Sequence, residues 1–325
     1  MKQGKCYFLL FIVGYCGFTH AQNRDTSILK KELTPGFLSG SADSLSLFQL
    51  IDSLLAITPL KESGSLITTR VGYSSNIMAT SRLAGLSQFG ITPGVSYFHK
   101  SGLYIDVSGY YSQEYKPSFY LTIGSLGYLK TYKKWTLMTE YSRYMYTPSD
   151  SSYTPYKNNF GLTNYFNIKP FIFRLDYLFY FGDKSAHRIT PSVAINLVKS
   201  NWKGIRKIQF YPTFSLMTGL EDVQTIINTY QLYTKDPALI SYRIKHNLPL
   251  YYLNSDIQTK SQFGVMNYTI TLPLNISWKN WSFLASYVYN FTHALPGETV
   301  GSNSGYFSFG ITRYFQFSHQ GKFTF

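Results

Sequence analysis

Between Met266 and Trp278 every second residue is apolar: Met266, Tyr268, Ile270, Leu272, Leu274, Ile276 and Trp278. The other parity, Asn267, Thr269, Thr271, Pro273, Asn275 and Ser277, is mostly polar. Alternate residues of a β-strand point to opposite faces, so the pattern predicts a strand with one oily face and one polar face. Such stretches recur at roughly 66–77, 89–99, 102–112, 118–131, 134–147, 157–168, 169–182, 186–198, 207–217, 263–277, 280–292 and 305–317. No run supplies a second layer to cover the oily faces. The pattern therefore predicts an all-β transmembrane antiparallel barrel of about twelve strands, with lipid outside and a polar lumen inside.

The connections carry a second signal. They alternate between short (His99 to Gly102, Thr131 to Lys134, Lys169-Pro170, Lys199 to Arg206, Lys279-Asn280) and mostly longer. Barrels of the outer membrane have short periplasmic turns and longer external loops. An even strand count then puts both chain ends in the periplasm. The longest connection, 218–262, reads as an extracellular loop with helical character over Glu221 to Tyr233. Pro93, Pro191, Pro212 and Pro273 fall inside expected strands, where they cannot donate a ladder hydrogen bond; bulges or strand ends must absorb them.

Residues 1–21 read as a secretory signal, with Lys2 and Lys5 before the apolar Phe8–Val13 and cleavage after Ala21. The apolar run is too short to span a bilayer. Residues 22–42 read as a periplasmic linker, and 43–58 as an amphipathic helix. Its stripe is Leu47, Leu50, Ile51, Leu54 and Leu55, and Pro59 closes it. That helix docks on its own barrel or serves as a plug or a handle for a periplasmic protein. The barrel occupies 66–325.

Composition agrees with this picture. Charged residues make up 14% of the chain, against about a quarter in soluble domains, and aromatics 18%. The net charge of +14 would suggest nucleic acid in a soluble protein. Here Lys100, Lys130, Lys133, Lys134, Lys169, Lys199, Lys203, Arg206, Lys207 and Lys279 gather at the short turns, beside lipid headgroups, and no nucleic-acid partner is expected. Both cysteines, Cys6 and Cys16, lie in the signal, so the mature chain holds no disulfide. No metal site or cofactor is expected. Trp135, Trp202, Trp278 and Trp281 all fall at the short-turn end, as a membrane-interface girdle would.

With the signal, the alternating strands and the chain end taken together, the chain resembles Gram-negative outer-membrane β-barrel proteins. Phe315, Phe317, Phe323 and Phe325 look like the aromatic C-terminal signal such barrels present to the barrel assembly machinery. Arg313 falls on the lipid parity of the last strand, which calls for a bulge or a shifted register there. The resemblance implies an integral protein of the outer membrane with lipids as neighbours.

Function has to come from the inward parity. It carries Arg70, Tyr104, Asp106, Tyr110, Tyr120, Glu140, Arg174, Asp176, Tyr180, Arg188, Lys207 and Tyr211. Mixed charges of this kind either pair with one another to fix the packing or line a constriction that selects small polar solutes. The first reading is a narrow channel or transport barrel for such solutes, since twelve strands with inward tyrosines leave little room for open diffusion. The alternative is a structural or assembly component acting through the helix and the long loop. A third is an outer-membrane lipid hydrolase. Such enzymes resemble His99-Lys100-Ser101 in their spacing of a base beside a hydroxyl, and His187 with Ser185 forms a looser pair.

Overall fold

The computed structural model describes residues 65–76, 90–113, 117–147, 156–296, 303–317 and 323–324. The expected signal peptide, linker, helix at 43–58 and terminal Phe325 lie outside the described residues, as do the side chains of Phe317 and Phe323.

The strands are β1 (Leu66–Ser74), β2 (Gly90–Phe98), β3 (Leu103–Tyr111), β4 (Phe119–Tyr132), β5 (Trp135–Tyr146), β6 (Tyr156–Ile168), β7 (Phe171–Gly182) and β8 (Ser185–Ile195). They continue with β9 (Leu197–Trp202), β10 (Ile205–Phe210), β11 (Thr213–Leu232), β12 (Tyr251–Trp278), β13 (Trp281–Thr292), β14 (Ser304–Phe317) and β15 (Phe323–Thr324). Each of β1 to β7 pairs with the next, β8 pairs with β11, β11 to β14 follow in order, and β14 pairs with β1. The result is a closed antiparallel barrel with a twelve-stranded wall. β9 and β10 form a hairpin that prolongs the wall at the short-turn end, where β10 borders β12.

Closure follows from the environment. In hydrocarbon an unpaired backbone group has no water to bond, so a sheet must leave no edge. Side chains obey the predicted parity. Val71, Val95, Ile105, Leu126, Phe173, Leu272 and Phe309 are exposed on the outer face, while Thr68, Arg70, Ser96, Asp106, Ser125, Thr163 and Asp176 are buried inside. The outer belt suits lipid, and the barrel spans a membrane with strands. A depth-dependent cost should follow. Leu272→Arg, six residues up β12 from the rim residue Trp278, is expected to destabilise by about 2–4 kcal/mol, and Trp278→Arg by about 0–1 kcal/mol. Urea titration in lipid bilayers measures both, and equal losses would show that Leu272 does not face the midplane.

The prolines sit where the ladder is interrupted. Pro93 pairs with Val71 on one side, but the β2–β3 register skips it. Pro191 pairs with Leu175 and is skipped by β11. Pro212 lies between β10 and β11, and Pro273 faces the same break, where Tyr211 N donates to its carbonyl at 3.2 Å.

Three expectations need correction. First, 218–262 is not a loop with a helix over Glu221 to Tyr233. β11 runs on to Leu232 and pairs with β12 down to Leu232↔Tyr251. Past Leu220 neither strand pairs with a further strand among the described residues. A two-stranded ribbon of roughly 40 Å, at about 3.3 Å per residue, therefore projects from the long-loop end. At its tip is α1 (Pro237–Lys245), N-capped by Asp236, whose side chain accepts from Ala238 N at 2.9 Å. Second, Met266 is not on the lipid face. The β11–β12 register shifts between Met217 and Thr218, leaving Met266 as an extra residue. This bulge turns both Met266 and Asn267 inward, and Met266 packs against Leu295 and Met217. Third, Arg313 needs no bulge, because β14 keeps one register against both β1 and β13. It stays outside, its guanidinium 5.1 Å from the Trp281 ring and 4.9 Å from Phe315. Cation–π contact at the rim accommodates the charge.

Candidate functional site

The inward rows build the site from the wall upward. Thr136, Tyr165, Arg174 and Ser192 are register partners across β5, β6, β7 and β8 and form a floor. One row nearer the short turns stand Asn167, Ile172, Ala194 and Thr213. The turns add Lys133, Lys134 and Lys169, and the β9–β10 hairpin adds Val198, Ser200, Arg206, Lys207 and Gln209 as a raised wall. Together they enclose a vestibule of about 1050 Å³ at the short-turn mouth.

The electrostatics of this vestibule are one-sided. Lys133, Lys134, Lys169, Arg174, Arg206 and Lys207 line it, and no Asp or Glu is among its lining residues. Asp176, one row behind the floor, pairs with Arg174, Nε to Oδ2 at 2.9 Å, and so holds that guanidinium in place. Like charges gathered around a low-dielectric concavity raise the local concentration of counterions. The arrangement can attract and hold a small anion.

Behind the floor the inward side chains bond to one another. Arg70 donates to both Asp106 oxygens, at 2.6 and 2.8 Å, and to Ser96 at 2.7 Å. Its guanidinium lies over Gly94, where a Cβ would come within 2.8 Å of Cζ, so glycine leaves the room. Tyr104 donates to Glu140 Oε2 at 2.5 Å, and Ser142 to Oε1 at 2.8 Å. Toward the long-loop end the lining changes character. Tyr110, Tyr120, Tyr144, Tyr156 and Tyr180 pack with Leu121, Ile123 and Leu178 into a buried cluster. Beside this cluster the long-loop half still holds inward polar groups: Arg188 is buried, and Asn267 donates to Asn290 Oδ1 at 3.0 Å.

The structure brings the expected inward residues together in three groups. Arg70 and Asp106 form one network, with Tyr104 and Glu140 beside it; Tyr120 and Tyr180 join the aromatic cluster. Arg174 and Tyr211 line the vestibule with Asp176 behind them. Arg188 is buried, with Nη1 3.1 Å from Met266 Sδ. The turn cations divide into two sets. Lys199 and Lys203 lie 4.9 and 5.5 Å from the Trp202 ring, and Lys279 lies 5.0 Å from Trp278, as expected at a headgroup level. Lys133, Lys134, Lys169, Arg206 and Lys207 instead turn to the vestibule, which the rim reading missed. Trp202 closes β9, and Trp135 donates to Asn164 Oδ1 at 3.1 Å. His99 Nδ1 lies 2.8 Å from Ser101 Oγ in an exposed turn. His187 Nδ1 is 2.9 Å from Tyr177 OH, not from Ser185.

No protein-family model matches the chain, and no curated protein does. Among solved structures, the NanC porin is similar with a TM-score of 0.39 and 11% identity, over 76% of this chain and 98% of that one. A bacterial polysaccharide outer-membrane secretin gives 0.36 and 11%, over 79% and 99%. A loop-deletion mutant of OmpT from Vibrio cholerae gives 0.31 and 7%, over 77% and 98%. The likeness is one of architecture, that of the outer-membrane β-barrel, and extends no further.

Proposed function

We propose that the chain sits in the outer membrane of a Gram-negative cell, short turns in the periplasm, and works as a transport barrel for small anionic solutes. The observation that carries this is the vestibule: six cations and no carboxylate among the residues lining about 1050 Å³. Asp176 holds Arg174 from behind the floor, but the lining itself carries no carboxylate to match its cations, in contrast to the Arg70–Asp106 pair deeper in the lumen. The hydrogen-bonded networks and buried tyrosines behind the floor narrow the pathway relative to an open diffusion pore.

Proteoliposomes carrying the mature chain should take up small anions faster than neutral solutes of equal size. The advantage should shrink as ionic strength rises, since the Debye length falls from about 10 Å at 0.1 M to 3 Å at 1 M salt. Equal rates for both solutes would count against the proposal. A second reading is a non-conducting structural component that acts through the β11–β12 ribbon. The aromatic cluster in the long-loop half and the exposed Tyr230, Tyr242 and Ile244 at the ribbon and its tip support it. A barrel that passes no solute but retains a partner through the ribbon would select it.

A further inference from the structure

The vestibule is not polar on every side. Pro170, Ile172, Ala194 and Val198 are among its lining residues, and they form one strip. Ile172 and Ala194 are register partners across β7 and β8. One row nearer the mouth, Asn196 N donates to the Pro170 carbonyl at 2.7 Å. Val198 follows two residues beyond Asn196, in β9. The strip is open to the cavity: Val198 is 46% exposed, Pro170 is exposed and Ile172 is half-buried. It differs in this from Leu121, Ile123 and Leu178 in the long-loop half, which are buried among tyrosines.

Cations border this strip. Arg174 lies one inward position deeper than Ile172 on β7, with its side chain 16% exposed. Lys133, Lys134 and Lys169 come from the turns before the strip, and Arg206 and Lys207 from the hairpin beyond it. Apolar surface lining an open cavity has an unfavourable hydration free energy that an apolar ligand relieves. An inorganic anion would meet the charges and leave the strip uncovered. A neutral apolar solute would do the reverse.

We infer that the vestibule binds an amphipathic organic anion, with one charged end held among the cations and an apolar body of a few carbons laid over Ile172 and Val198. This rests on the anion reading proposed above and adds the ligand class. Discrimination by body length follows, because each methylene buried on the strip adds up to about fourfold in affinity.

Calorimetric titration of the full mature chain in nanodiscs, with empty nanodiscs as the blank, tests the inference. Acetate, butyrate and hexanoate are the probes, since they share one charge and differ in length. Hexanoate should bind at least about tenfold tighter than acetate. Ile172→Asn and Val198→Asn should each lower that ratio at least about threefold. The ratio is the readout, because both side chains line the site and either change can alter the absolute affinities. Heat-modifiable gel mobility shows whether each variant is folded, and Val198→Asn, in the exposed hairpin, decides alone if Ile172→Asn fails to fold. A ratio near one with acetate bound, or a ratio untouched in folded variants, overturns the inference and leaves the anion reading standing. Failure of all three carboxylates to bind, or hexanol binding as tightly as hexanoate, overturns both. The graded binding in a barrel that transports no anion would instead overturn the transport reading and leave the site standing.

Discussion

Asp106→Ala is expected to cost the barrel about 3–5 kcal/mol, the range for removing one partner of a buried ion pair. Arg70 and Asp106 are both almost fully enclosed, and their two parallel contacts are short. Alanine would strand the guanidinium in a lumen whose remaining partners are the hydroxyls of Ser96 and Ser108. The double replacement Arg70→Met with Asp106→Leu should recover much of the loss, because the desolvation of both charges disappears with them. Reversible urea unfolding in bilayers measures the two variants. A loss below about 1 kcal/mol for Asp106→Ala would mean that water reaches Arg70 and that the lumen is wider than described.

The second large effect concerns the vestibule. Replacing Lys133, Lys134 and Lys169 together by glutamate moves the local charge from strongly positive to near balance or below. The anion-to-cation permeability ratio should fall at least about tenfold, the equivalent of 1.4 kcal/mol in relative barrier height. Lys199→Glu with Lys279→Glu is the control. These two lie over Trp202 and Trp278 and face away from the vestibule, so the ratio should hardly move. An equal response from both sets would show that total rim charge matters and the vestibule does not.

The wall of this barrel is written plainly in the sequence, and the site only in part. Alternation assigns Arg70, Asp106, Glu140 and Arg174 to the inside because the period of two is fixed by strand geometry. A bulge breaks that period, so Met266 was misplaced, and nothing in its neighbours marks the extra residue. At the two-residue turns alternation fails altogether. Lys133, Lys203 and Lys279 hold φ of 51°, 48° and 50°, where side-chain direction no longer follows the strand. Lys133 thus faces the vestibule while Lys203 and Lys279 lie over tryptophans, a division no spacing predicts. Gln209 and Ser192 do fall on the inward parity. Neutral polar residues there read as inward packing, and the structure buries both. The ribbon was hidden for another reason: polar residues on both of its faces remove the hydrophobic alternation that marks a membrane strand.

The reversal potential of the purified mature chain in a planar bilayer, under a potassium chloride gradient, tests the central claim most directly. Six cations at the mouth predict a measurable conductance with a potential of the sign that marks chloride as the preferred ion. A cation-selective potential, or a bilayer that stays silent with folded barrels inserted, would contradict it.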